Sequence, residues 1–186
     1  MNWLAFSILA YLCLLMQVGL TPLLGIPDPT GAMPNFLLIY AVYVGMNAPP
    51  KLVGWSMLLI GVLANLLPGP LPEGPILGPE ALGYLFGAFA VLQLRGLVFR
   101  ESVISLAMMV LFVGIFVELV VVALYSARGL PFLLGHPIPH WDPSDQLFER
   151  FWVLLYSVVV SIPFGTVLIK LSPILRFSPV QRSERL

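Results

Sequence analysis

Charge is what this chain has least of. Only 10% of its 186 residues are Asp, Glu, Lys or Arg, against about 25% in an average soluble domain. The nine acids and nine bases cancel to a formal net charge of zero. That balance argues against an electrostatic grip on nucleic acid. Cysteine is almost absent too. Cys13, inside an apolar run, is the single one and has no partner in the chain for a disulfide. Phosphate-binding Gly-rich loops and activated-nucleophile motifs are missing, so nothing resembles an enzyme site. No internal repeat, low-complexity tract or second, soluble domain is visible.

Apolar residues fill the space that charge leaves. They make up 59% of the chain, and the mean hydropathy is +0.98. A soluble fold of this length cannot hide so much apolar surface, because its outer residues must meet water. The composition therefore predicts an integral membrane protein with membrane lipid as its surroundings.

The apolar runs are helix-length, which argues against a β-barrel. Six are expected. The first covers residues 3 to about 20; it has no basic segment before it and is long for a signal peptide, so it reads as a retained helix. The second, residues 34–47, is short, with Pro34 in its first turn and Pro49-Pro50 ending it. The third runs from Lys51 to Leu67. The fourth starts at Gly78-Pro79-Glu80 and ends near Leu94. The fifth spans Val103 to about Tyr125, and the sixth residues 148–171, after a helix start at Asp142-Pro143-Ser144-Asp145. Residues 126–146 form the longest loop. The expected organisation is a six-helix transmembrane domain over residues 1–175 and a short cytoplasmic tail over 176–186.

Basic residues gather on the cytoplasmic side of membrane proteins. With the N-terminus inside and six spans, Lys51, Arg95, Arg100, Lys170, Arg176, Arg182 and Arg185 fall on or near the inner side, leaving Arg128 and Arg150 outside. Both termini are therefore expected in the cytoplasm.

Glu118 is the sharpest polar feature, set among Phe116, Val117, Leu119 and Val120. An acid at mid-membrane costs about 2.5–3.5 kcal/mol and normally faces the protein interior. Two readings are open: a ligand, proton or partner-contact site, or an acid that locks helices together. Gln17 and Asn65 share its outer half of the membrane. The three either form one polar cluster opening outward or face different directions. Gly83 and Gly87 make a GxxxG pattern, and Gly54 and Gly61 share a face of the third span; close helix packing is the expected use of both sets. His136 and His140 frame two prolines. A proline-broken segment does not hold metal ligands at helical spacing, so no metal or cofactor is expected.

The stretch from Pro34-Asn35-Phe36-Leu37-Leu38-Ile39-Tyr40 through Gly61-Val62-Leu63-Ala64-Asn65-Leu66-Leu67 to Arg95-Gly96-Leu97-Val98-Phe99 resembles the bacterial rod shape-determining MreD family. Gln17 and Glu118 suit that pattern, as do length and span count. Asn35 and Asn65 stand where the family often has Asp, so this chain lacks those charges. The resemblance implies a non-enzymatic subunit of the cell-wall elongation machinery in the bacterial inner membrane. It implies MreC, the actin-like MreB and the peptidoglycan synthase pair as partners. It also implies a bundle similar to the substrate-binding S components of energy-coupling-factor vitamin transporters. A vitamin-type carrier is the alternative function. The first span lacks the Ala-xxx-Ala pattern that such carriers often use for docking, since Ala5 and Ala10 are five apart; this favours the scaffold.

Overall fold

A computed structural model describes residues 1–20, 23, 33–67, 78–98, 102–128 and 142–175. Among the described residues there are six α-helices and no strand. They are α1 (Trp3–Gly19), α2 (Phe36–Asn47), α3 (Pro50–Ala64), α4 (Pro79–Leu94), α5 (Val103–Arg128) and α6 (Pro143–Leu175). The six expected segments are all helical, but their lengths differ from expectation. Only α5 and α6 are long and apolar enough to cross a membrane by themselves. The other four have 12 to 17 residues, short of the roughly 20 that a spanning helix needs.

Local chemistry explains the boundaries. Asn35 rather than Pro34 opens α2, its Oδ1 accepting from the Leu38 N–H at 2.9 Å; Pro34 lies outside the helix. At α6, Asp142 Oδ1 accepts from the Ser144 N–H at 2.9 Å and the Ser144 hydroxyl at 2.6 Å. These bonds start the helix at Pro143, five residues before the apolar run, and it continues to Leu175 through Pro163 and Pro173. The same two donors hold the Asp142 carboxyl below its usual range. A depressed folded-state value means that the cap contributes above the ordinary carboxylate range and is lost as pH falls through the lowered value. Hydrogen exchange in the first turn of α6 should therefore rise only under acid conditions. In Asp142→Ala it should be raised already at neutral pH; an unchanged first turn in that variant would refute the cap.

Consecutive helices are antiparallel. Gly83 of α4 lies against Val121 of α5, while Gly87 lies against Val117 and Val113. Gly114 of α5 meets Leu154 of α6, and Gly165 meets Leu106. The first and last helices start and finish together, since the Asn2 N–H donates to the Leu175 carbonyl at 3.0 Å.

Helix α2 is the hub and touches every other helix. Eleven of its twelve residues are buried, as expected of a helix that is apolar all round. Its N-terminus lies inside the protein, where unpaired N–H groups would be costly. Three side chains satisfy them. Gln17 Oε1 accepts from the Phe36 N–H at 2.7 Å, and Ser157 Oγ from the Asn35 N–H at 2.8 Å; the Asn35 cap supplies the third. At its other end Arg95 donates to the Ala48 carbonyl at 3.0 Å.

The outer surface is apolar. Leu4, Ile8, Trp55, Phe89, Ile104 and Val159 are all exposed. They belong to five different helices, so the apolar surface is a belt rather than one patch.

Candidate functional site

The polar residues of the triad come from three helices. Gly78, at φ +138°, turns the chain into α4, and Pro79 follows at the first position, which sets Glu80 in the first turn. Glu118 lies on α5 and Arg150 in the third turn of α6. The antiparallel pairing brings them to one place. Arg150 Nη1 and Nη2 both donate to Glu80 Oε1 at 3.2 Å, and Nη1 also donates to Glu118 Oε2. All three side chains are largely buried, with 15%, 19% and 11% of the Arg150, Glu80 and Glu118 side chains exposed. Tyr125 is seven residues beyond Glu118 and so on the same face; its ring lies 6.0 Å from the Arg150 guanidinium.

Glu118 thus faces the interior and is paired there. Its partners are the arginine and, through it, Glu80, rather than Gln17 or Asn65. The arginine was legible in one respect. It is one of two bases on the minority side of the charge count, and it lies inside a helix instead of a loop. A base there needs a local acid.

Of the two arrangements open to Gln17, Asn65 and Glu118, a cluster joined by direct bonds does not form among the described residues. Gln17 caps α2. Asn65 follows the last residue of α3, where its Nδ2 donates to the Gly61 carbonyl at 3.1 Å. Its Oδ1 is buried and accepts nothing among the described residues. Asn35 links α2 outward, since the Tyr84 hydroxyl donates to its Oδ1 at 3.5 Å.

The glycines divide. A Cβ at Gly61 would lie 2.8 Å from Ala81 Cα. At Gly83 and Gly87 it would overlap Val121 and Val117. Gly54 differs: its nearest neighbour, Leu85 Cδ1, would be at an ordinary 3.9 Å. Gly114, one turn before Glu118, admits Leu154 of α6 and lets the two long helices close around the ion triad. His136 and His140 lie outside the described residues.

Chemically, the site is a set of ionic and hydrogen bonds between helices. Its groups hold α4, α5 and α6 to one another. Comparison with protein-family models, with curated proteins and with solved structures gives no match.

Proposed function

We propose that this chain is a non-enzymatic membrane scaffold, a subunit of the cell-wall elongation machinery of the MreD kind. One observation carries the choice of scaffold over carrier: Arg150, Glu80, Gln17 and Ser157 spend their polar groups on other helices of the bundle. Glu118 binds Arg150, while Gln17 and Ser157 close the N-terminus of α2. A carrier needs several such groups converging on one enclosed cavity, whereas Glu118 is the one charged residue among the described residues on the open groove between α5 and α6. Ala5 and Ala10 are buried in the bundle, and the exposed face of α1 carries large residues such as Leu4, Ile8 and Leu12. That face offers no small-residue strip for close docking onto a transporter.

All six helices are read as spans of a bundle of the S-component type, in the bacterial inner membrane. The shortness of α2 does not argue against this. It is sheathed by protein, and a helix may end inside a membrane where protein satisfies its backbone. The exposed apolar belt fits lipid around the outside. Both termini are assigned to the cytoplasm, supported by the basic asymmetry and by the Asn2–Leu175 bond that puts both helix ends together. A reporter active only in the cytoplasm should work when fused to Leu186; a silent fusion, with a periplasmic reporter active at the same place, would sink the six-span topology.

The partners are MreC, MreB and the peptidoglycan synthase pair. Co-purification from mild detergent tests this. Recovery of wall-elongation proteins in stoichiometric amount is expected. Recovery of the chain alone, or with an ATP-driven transporter module, would overturn the scaffold.

A further inference from the structure

We propose that the groove between α5 and α6 docks one transmembrane helix of a partner protein, and that this helix carries a basic side chain that meets Glu118. The inference rests on the scaffold reading and gives it a surface. The groove has a volume of about 420 Å³. Ile115 and Leu119 of α5 and Leu147, Phe148 and Phe151 of α6 line it, together with Glu118. On α6 it reaches from Ser144 to Leu154, ten residues or about 15 Å of helix. That is nearly three turns, enough for a helix to lay its side chains between two others. Both walls are open, since Leu119 of α5 and Phe148 and Phe151 of α6 are exposed.

Charge selects the occupant. Two carboxylates share one guanidinium, so the triad carries one formal negative charge in excess. Glu118 Oε2 accepts from Arg150, and its Oε1 accepts nothing among the described residues. Among the described side chains, no second cation joins the cluster. Depth then separates a helix from a lipid. Glu118 is ten residues, about 15 Å, from the end of α5 at Arg128. The 26 residues of α5 rise about 39 Å. Centred on a hydrocarbon core of about 30 Å, that leaves the carboxylate roughly 10 Å below the surface. Acyl chains at that depth offer no donor, and head groups stay at the interface. A spanning helix can carry a lysine or arginine there, and such a residue is tolerated when paired.

The test uses the full chain in phosphatidylcholine vesicles, with a photo-reactive side chain replacing Leu119. The probe is a synthetic Leu/Ala helix of about 23 residues with one lysine in the half that faces Glu118; the control peptide has leucine at that position. The lysine peptide should be labelled about tenfold more than the control, the lower end of coupling between close charges. The preference should vanish in Glu118→Gln, which keeps the shape and the bond from Arg150. Ile115→Trp, which fills the groove and leaves the triad intact, should lower labelling by both peptides. The same photo-reactive group at Phe89, on the far face of α4, should show no preference. Equal labelling of the two peptides overturns the proposal. So does a preference that survives in Glu118→Gln, labelling unchanged by Ile115→Trp, or adducts only to lipid or to a second copy of the chain. The two readings fail separately. Equal labelling removes the groove assignment even where wall-elongation proteins co-purify; their absence removes the scaffold even where the lysine peptide is preferred.

Discussion

Arg150→Met should lower the unfolding free energy of the detergent-solubilised chain by about 3–5 kcal/mol, the usual cost of stranding buried charge. The substitution keeps an unbranched apolar stem, two atoms shorter than arginine, and removes the charge. Glu80 and Glu118 would then face each other with no cation between them. The energy follows from what is left behind, not from the worth of the pair. Two ions taken out of water lose hydration, and their attraction only roughly repays it. Removing the shared cation keeps the whole penalty and adds like-charge repulsion.

The same logic ranks the other substitutions. Glu118→Leu leaves Arg150 with Glu80, a neutral pair, so its cost should be nearer 1–2 kcal/mol, about the range of intramembrane hydrogen bonds. Glu118→Gln should be milder still. Replacing Glu80 and Glu118 by Leu together with Arg150→Met removes all three charges and should recover most of the stability lost in Arg150→Met alone. Denaturation in mixed detergent micelles, read by helix signal, gives the four values side by side. If Arg150→Met is as stable as the parent, the triad does not hold the helices together.

Helix existence was legible in this chain because it is written locally. The cap at Asp142, the prolines at Pro79 and Pro143 and the acid at Glu80 act within one turn of their helix start. Hydropathy alone was a poorer guide to length. It put the sixth span at 148–171, but α6 runs from Pro143 to Leu175, because the Asp142 cap starts the helix before the apolar run and backbone bonding carries it past the run's end. It also put Pro34 inside the second helix, where Asn35 makes the cap instead.

The site was legible only in part, for a different reason. Glu118 announced itself by its cost among apolar neighbours. Its partners lie 32 and 38 residues away in sequence, on helices whose rotation a single sequence does not reveal. Gln17 and Asn65 lie late in their helices, as Glu118 does, but turn to backbone groups. Glycine spacing had the same weakness: Gly54 and Gly61 share a face, yet only Gly61 lies where α4 comes close.

That difference makes Gly61→Ala the second substitution with a large expected effect, even though it adds one methyl group. The new Cβ would lie 2.8 Å from Ala81 Cα, 2.9 Å from Tyr84 Cβ and 3.1 Å from the Glu80 carbonyl oxygen. Backbone atoms dominate this set, so rotating a side chain does not relieve the contact. The helices must separate. Overpacking of this kind costs up to about 3 kcal/mol, and the better helix propensity of alanine returns about 1 kcal/mol, for a net loss of about 2 kcal/mol. The displaced element is the first turn of α4, which carries Glu80, so the strain should also loosen the contact between Glu80 and Arg150. Gly54→Ala is the matched control on the same helix. Its Cβ meets only Leu85 at 3.9 Å, so it should be neutral or stabilising by about 0.4–1 kcal/mol. Thermal unfolding of the two variants in one detergent separates close approach from glycine content. Equal stability of Gly61→Ala and Gly54→Ala would mean that α3 and α4 are not held at the distance described, and the seat of Glu80 would have to be redrawn with them.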